Sequence, residues 1–197
     1  YIILWTVLMD TAGGVGVLSA LAFSGLYLIV GKPEINVVFI SLSACLSGFL
    51  VFNLPKASII MGGVGSAMLG DFFAGASIHF YLINDHKVSL IIPIIILGVF
   101  VVDFTPTILI RAFRKKAFWR PHREYFYQKL IRSGWSHGKT ICLEYSHTIL
   151  NIIVVFTYFN ANNQVQIICV ILFLLMFCLK FLFIQNRFQK TLKTQNS

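Results

Sequence analysis

RAFRKKAFWRPHREYFYQKLIRSGWSHGK, residues 111–139, is the only long polar stretch that lies between apolar runs of this sequence. Nine of the sixteen Lys and Arg residues lie in it, and Glu124 is its single acidic residue. A basic, aromatic-rich segment between membrane spans is typical of a cytoplasmic loop and is suited to contact phosphate groups. This stretch therefore predicts both an orientation in a membrane and a class of ligand.

The sequence around this loop is that of an integral membrane protein. Of 197 residues, 57% are hydrophobic and 12% are charged, whereas a soluble domain carries about 25% charged residues. The apolar runs are continuous rather than alternating and reach the length that crosses a bilayer, which favours helices over strands. Six spans are predicted, at about 15–31, 35–53, 59–83, 88–111, 140–159 and 164–185.

The predicted fold is therefore an all-α, polytopic membrane domain that covers residues 1–197. Residues 1–9 are interpreted as the remnant of a further span that ends before Asp10, so the chain is expected to be the C-terminal part of a longer protein. The basic segment at 111–139 is the cytoplasmic loop, and the polar residues at 186–197 form a tail.

The distribution of charge gives the orientation. The positive-inside rule places the basic loop in the cytoplasm, and the order of the spans then places the C-terminus there as well. Only Lys32 and Lys87 lie on the outer side, and Lys180 lies within the last span. All other Lys and Arg residues are on the cytoplasmic side. The same order brings Asp10 and the glycine-rich turn at 62–66 to the cytoplasmic face. A carboxylate, a turn with free backbone N–H groups and a basic loop are the parts of a metal-and-phosphate site.

Each of these parts also has a structural interpretation. Asp10 could hold Mg²⁺ that bridges phosphate oxygens, or it could cap a helix at the interface. Gly65 and Ser66 lie in a turn that opens a helix, where backbone N–H groups attract anions. Small residues spaced four apart, as at Gly62, Ser66 and Gly70, also allow close packing of membrane helices.

The loop and the span before it carry the other candidates. Carboxylates within a span, here Asp71 and Asp103, are costly and point to function. Residues 119–130 are predicted to form a short interfacial helix, from which His122 and Arg123 could bind a diphosphate by charge-assisted hydrogen bonds. The alternative is a basic amphipathic segment that rests on anionic lipid. Nucleic acid is not an expected partner, because no nucleic-acid-binding motif accompanies the charge.

Three segments, in order, resemble the bacterial glycosyltransferase family 4, the polyprenyl-phosphate N-acetylhexosamine-1-phosphate transferases. LMDTAGGVG at 8–16 is similar to the family's N-x-M-D-G-I-D-G-L, and FNLPKASIIMGGVGSAMLG at 52–70 is similar to F-N-x-P-x-A-x-I-F-M-G-D-V-G-S-x-x-L-G. The stretch at 101–140 is similar to a V-D-x-x-x-T-L-x-R-R span end followed by A-H-R-x-H-x-Y-Q-x-L and G-W-S-H. The three matches cover nearly the whole chain.

The resemblance implies an enzyme of the bacterial inner membrane. It would transfer a sugar 1-phosphate from a UDP-sugar to undecaprenyl phosphate and release UMP, with Mg²⁺ or alternatively Mn²⁺, in cell-envelope polysaccharide or O-antigen synthesis. By position, Asp10 matches the family's Mg²⁺-binding aspartate, which makes Asp10 and His122 the expected catalytic residues. Arg123, Gln128 and Asp103, with Gly65 and Ser66 of the glycine turn, are the expected substrate-binding residues.

The sequence also departs from the family pattern at charged positions. Val7 stands where the family has Asn, Thr11 and Gly13 alter the motif after the aspartate, Gly63 replaces an Asp, and Tyr125 replaces a His. Loss of charged ligands weakens charge stabilisation in phosphoryl transfer. A non-catalytic remnant or membrane partner protein that keeps the fold is therefore the alternative. The sequence specifies neither the sugar nor an oligomeric state.

Overall fold

The structure is a computed structural model that describes residues 2–53, 58–59, 61–84, 89–113, 115 and 125–195. Across these ranges the chain forms helices without strands, as predicted. The helices are α1 (Ile2–Ile29), α2 (Pro33–Val51), α3 (Gly62–Ile83), α4 (Ile91–Ile96), α5 (Gly98–Phe113), α6 (Phe126–Arg132), α7 (His137–Phe159) and α8 (Asn163–Gln195).

Five of the described helices are long and apolar enough to cross a membrane, which agrees with the predicted polytopic fold. These spans are Thr11–Ile29, Pro33–Val51, Val64–Ile83, His137–Phe159 and Asn163–Thr191. The span predicted at 88–111 is instead divided into α4 and α5, with Leu97 between them. The division coincides with Gly98, where a Cβ atom would lie 2.7 Å from Phe173 and 2.8 Å from Asn151. Neighbouring helices therefore approach the backbone closely at this break.

The first helix differs from its prediction. A remnant span was expected to end before Asp10 at a glycine-rich turn, but α1 continues without interruption from Ile2 to Ile29. The reason is that the glycines serve packing: a Cβ atom on Gly14 would overlap the Tyr145 hydroxyl, and one on Gly13 would lie 3.0 Å from Leu50. Small residues in membrane helices let neighbouring helices approach closely, and here they do so without breaking α1.

Aromatic side chains join α1 to α2 and α3. Phe23 stacks on Phe39 with ring centroids 5.4 Å apart and on Phe73 at 5.9 Å. Tyr27 donates a hydrogen bond to the Ala76 carbonyl at 3.2 Å, and its hydroxyl lies 2.9 Å from Nδ1 of His79. Apolar side chains gain little by leaving lipid, so packing and interhelical hydrogen bonds of this kind hold membrane helices together.

The helix α7 lies at the centre of the bundle and contacts α1, α4, α5, α6 and α8. The short helix α6 lies along the second half of α8. Phe126 and Phe181 have ring centroids 5.4 Å apart, and Trp135, which follows α6, lies 5.8 Å from Phe183. This packing attaches the C-terminal end of the basic loop to the membrane bundle.

The close approach at Gly98 gives a stability prediction. We expect Gly98→Ala to lower the free energy of unfolding by about 1–3 kcal/mol, because the new methyl group overpacks against Phe173 and Asn151. Gly75→Ala is the matched control, since a Cβ atom there meets nothing within 4 Å. Thermal denaturation of detergent-purified protein should show a lower midpoint for Gly98→Ala only. Equal midpoints for the two variants would contradict the close approach.

Candidate functional site

The N-terminus of α6 is held by a carboxylate from α5. Oδ1 of Asp103 accepts a hydrogen bond of 2.8 Å from the backbone N–H of Phe126, and both groups are buried. The first N–H groups of a helix have no partner within the helix, so an acceptor from another element satisfies them. Asp103 therefore fixes the end of the basic loop against α5.

Within the described residues, the short helix of the loop differs from the predicted one. A helix was predicted at 119–130, but Tyr125 is extended, with φ −64° and ψ 154°, and the helix α6 runs from Phe126 to Arg132. The reason is tertiary: the hydrogen bond from Phe126 to Asp103 sets the starting residue. The earlier part of the predicted helix, including His122, lies outside the described residues.

Gln128 is engaged within this short helix. Its Oε1 accepts from the Tyr125 backbone N–H at 3.4 Å, and its Nε2 donates to the Tyr127 hydroxyl at 2.9 Å. The side chain is buried, with 7% of its surface exposed. These contacts give Gln128 a role in shaping the start of α6, whereas its predicted contact with substrate stays a prediction.

Two tyrosines line the start of α6. Tyr125 packs edge-on against Phe104, with ring centroids 4.7 Å apart, and stacks on Tyr127 at 6.1 Å. Burial, followed by the negative charge of Asp103, raises the pKa of both phenols, although the Arg111 guanidinium acts in the opposite direction on the pKa of Tyr125. Both hydroxyls therefore stay neutral at physiological pH.

Two further polar residues follow Asp103 along α5. Thr107 Oγ1 donates to the Asp103 carbonyl at 2.9 Å, one turn along the same helix. Arg111 is buried in the last turn of α5, where a cation interacts favourably with the helix dipole. The second half of α5 therefore carries buried polar side chains at these positions.

A second polar cluster lies deeper in the bundle. Nζ of Lys180 on α8 lies 2.5 Å from Oε2 of Glu144 on α7, and both side chains are buried. His147 and Asn151 follow Glu144 at intervals of three and seven residues, which places all three on one face of α7. Within the described residues, neither His147 nor Asn151 has a side-chain hydrogen-bond partner. This face of α7 is thus polar although it is enclosed by the bundle.

The structure brings together only some of the predicted site residues. Asp103 and Gln128 meet at the start of α6, whereas Gly65 and Ser66 lie in the first turns of α3, where Ser66 Oγ donates to the Gly62 carbonyl at 3.1 Å. The start of α3 at Gly62 agrees with the predicted turn, and Gly62 has a φ of +70° that favours glycine. His122 and Arg123 lie outside the described residues, as does the side chain of Asp10.

The described side chains do not form a metal site. Among them, no group of three or more His, Cys, Asp or Glu residues could hold a metal ion. Asp103 is already used by a backbone N–H, and Gly13 and Gly63 provide no carboxylate where the resembled motifs have one. The predicted Mg²⁺ or Mn²⁺ therefore depends on Asp10 and on groups beyond those described.

Sequence reasoning missed the buried pair of Glu144 and Lys180. Lys180 was noted within the last span, but Glu144 was not considered. The usable signal was that two consecutive spans each carry one charge of opposite sign, since a charge in an apolar span needs a partner. The periodic placement of Glu144, His147 and Asn151 is a second signal of a polar helix face.

An apolar groove opens on the outside of the bundle between α5 and α8, close to the end of α5. Its volume is about 400 Å³, and its lining is wholly apolar. The lining residues are Pro106, Leu109, Ile110, Phe113, Phe177, Cys178, Phe181 and Leu182. Leu109 and Leu182 are more than half exposed, so the groove faces the surroundings of the bundle, which in a membrane is lipid.

The hydrogen bond to Asp103 can be tested by substitution. We expect Asp103→Ala to destabilise the fold by about 1–3 kcal/mol, because the Phe126 amide would be left buried without an acceptor. Asp103→Asn keeps an acceptor oxygen and should lose less stability than Asp103→Ala. Asp71→Asn, at an exposed position on α3, is the control for removing a carboxylate from a span. Melting curves that do not separate Asp103→Ala from Asp71→Asn would contradict the role assigned to Asp103.

Comparison with known proteins agrees with the resemblance seen in the sequence. The model of the family described as glycosyl transferase family 4 matches residues 10–81. The chain is 31% identical over 132 residues to the "Probable undecaprenyl-phosphate N-acetylglucosaminyl 1-phosphate transferase" of Bacillus subtilis (strain 168). This match covers 67% of the chain and 36% of the relative, so the chain spans about a third of that protein's length.

No solved structure gives a significant match. Two comparisons thus point to one family, and the residues matched by the family model include 10–16 of the first segment that suggested it and all of the segment at 52–70. The chain is a multi-pass membrane protein that belongs to glycosyl transferase family 4.

Proposed function

We propose that this protein is a polyprenyl-phosphate sugar-1-phosphate transferase. It moves an N-acetylhexosamine 1-phosphate from a UDP-sugar to undecaprenyl phosphate and releases UMP, in the synthesis of a cell-envelope polysaccharide. The observation that carries this proposal is the similarity to the Bacillus subtilis relative, which extends over 132 residues. The basic, aromatic-rich loop at 111–139 agrees with it, because a diphosphate needs cationic hydrogen-bond donors.

In this proposal the donor binds beneath the basic loop. Arg123 and His122 contact the diphosphate of the UDP-sugar, and the backbone N–H groups near Gly65 and Ser66 are further donors. Asp10 holds Mg²⁺, which when bound would stabilise negative charge on the phosphates. The hydrogen bond from Phe126 to Asp103 supports this arrangement, since it attaches the end of the loop to α5.

The apolar groove between α5 and α8 suits the lipid acceptor. A polyprenyl chain presents only hydrocarbon, and the groove presents only apolar side chains over about 400 Å³. Phe113, which lines the groove, lies two residues after the buried Arg111. An acceptor held in this groove would therefore have its phosphate near the cationic end of α5.

The membrane setting follows from the same chemistry. We place the protein in the bacterial inner membrane with the basic loop and the C-terminus in the cytoplasm. The excess of Lys and Arg in the loop supports this orientation by the positive-inside rule. The loop would then face the compartment in which nucleotide sugars are made.

A second candidate function is that of a non-catalytic membrane partner. The observation that favours it is the surroundings of Tyr125, where the resembled motif has a histidine. This side chain packs against Phe104 and Tyr127, so it contributes to an aromatic cluster rather than supplying an imidazole. Gly63 likewise removes a carboxylate from the glycine turn.

UMP release separates the two candidates. Membranes that contain the protein, supplied with UDP-N-acetylglucosamine, undecaprenyl phosphate and Mg²⁺, should release UMP above empty-vector membranes. We expect Asp10→Asn and His122→Ala to lower the rate by about a hundredfold, because each removes a polar group that contacts developing charge. Asp71→Asn should retain the wild-type rate. If several UDP-sugars give only the empty-vector rate, the second candidate is correct.

A bulky side chain in the groove should weaken binding of the lipid acceptor but not binding of the UDP-sugar. We expect Cys178→Trp to raise the KM for undecaprenyl phosphate about tenfold without changing the KM for the UDP-sugar, because the indole would occupy the apolar groove. Leu175→Trp is the matched control, since Leu175 is exposed on the same helix but does not line the groove. A similar KM for the lipid in both variants would exclude this groove as the acceptor site.

A further inference from the structure

The buried ion pair between α7 and α8 is the charged feature that the proposed function leaves unused. Nζ of Lys180 and Oε2 of Glu144 lie 2.5 Å apart, with 6% and 1% of their side-chain surfaces exposed. Charged groups buried in this way are costly even when paired, and apolar residues of similar size often stabilise a protein as well. The pair therefore calls for a role other than simple stabilisation.

Lys180 lies next to the contacts that hold α6. Phe181, the following residue on α8, packs against Phe126 with ring centroids 5.4 Å apart. Further along, Nζ of Lys129 lies 3.5 Å from Oε1 of Gln185, and the Arg132 guanidinium lies 5.1 Å from the Phe188 ring centroid. The second half of α8 thus forms the surface on which α6 rests.

Lys180 also balances two carboxylates. Asp103 on α5 lies within electrostatic range of both Glu144 and Lys180, and Asp103 is the acceptor for the first N–H of α6. Interactions between charges are strong in a medium of low dielectric constant. Without the ammonium group, two carboxylates would share this part of the interior with no cation between them.

We propose that Lys180 is a positioning residue for the cytoplasmic loop, acting through the positive charge that it places beside Glu144 and Asp103. The ammonium charge compensates the carboxylate of Glu144, which allows Asp103 to remain the acceptor at the start of α6. The helix α6 in turn carries the C-terminal end of the loop that contains His122 and Arg123. The effect of Lys180 on catalysis rests on the proposed function, whereas its effect on the position of α6 does not.

Hydrogen–deuterium exchange of the purified, membrane-reconstituted protein tests the position directly. We expect Lys180→Met, which keeps the length of the side chain and removes its charge, to speed exchange of the amides in Phe126–Arg132 by about tenfold. Exchange in Pro33–Val51, which is remote from the pair, should stay at the wild-type rate. Lys193→Met is the matched control, because Lys193 is exposed on the same helix.

Two more variants separate charge balance from general stability. Glu144→Gln leaves Lys180 to balance Asp103, so exchange in α6 should rise less than about threefold. The double variant Glu144→Gln with Lys180→Met restores the wild-type net charge of the cluster and should return α6 to within about threefold of wild type. Should Lys180→Met alone fail to fold, the double variant and Glu144→Gln still carry the test.

Three results would overturn the proposal. The first is wild-type exchange of α6 in folded Lys180→Met. The second is faster exchange in α2 and α6 alike, which indicates only a loss of global stability. The third is an effect of Glu144→Gln as large as that of Lys180→Met, or a double variant that folds with unprotected α6.

Kinetics distinguish failure of the proposal from failure of the proposed function. If the wild-type protein releases UMP, Lys180→Met should raise the KM for the UDP-sugar by about tenfold with a smaller change in kcat, because the loop would be misplaced in the free enzyme. If the wild-type protein releases none, the proposed function fails while the exchange result still decides the role of Lys180. An unchanged KM together with faster α6 exchange would confine the role of Lys180 to the fold.

Discussion

A charged side chain within a membrane bundle needs a partner, and the centre of this protein is arranged around that requirement. Glu144 lies on α7, the helix that contacts α1, α4, α5, α6 and α8, and it pairs with Lys180 from α8. The polar face that continues through His147 and Asn151 is enclosed by those same neighbours. Because lipid cannot solvate such a face, the surrounding helices must cover it, and this constraint explains why α7 is central.

The same requirement connects the bundle to the basic loop. Asp103 is buried in α5, and its partner is the first N–H of α6 rather than another side chain. A short helix cannot bury enough surface to be stable alone, so α6 depends on that acceptor and on its packing along α8. The loop is therefore attached to the membrane part at a defined point, and the phosphate chemistry proposed for it would depend on buried residues remote from the phosphates.

The sequence predicted the features that depend on composition and length. Continuous apolar runs identified the helices and their approximate limits, and the glycine turn marked the start of α3 at Gly62. The prediction from sequence was wrong where tertiary contacts override local signals. Gly13 and Gly14 suggested a turn but serve packing inside α1. A helix was predicted through Tyr125, but this residue is extended, and α6 begins at Phe126, whose amide donates to Asp103. The pairing of Glu144 with Lys180 was missed because its partners lie 36 residues apart, and its signal was one charge of opposite sign in each of two consecutive spans.

The substitution at Tyr125 bears most directly on whether the family's chemistry is retained. A histidine at this position could exchange a proton or bind a phosphate oxygen near neutral pH, whereas burial and the nearby Asp103 raise the pKa of the tyrosine phenol. Tyr125 can therefore donate a hydrogen bond but cannot provide positive charge. If the protein is a transferase, the positive charge of the donor site must come from Arg123 and its basic neighbours in the sequence. The packed rings of Tyr125 and Phe104 would contribute no charge to that site.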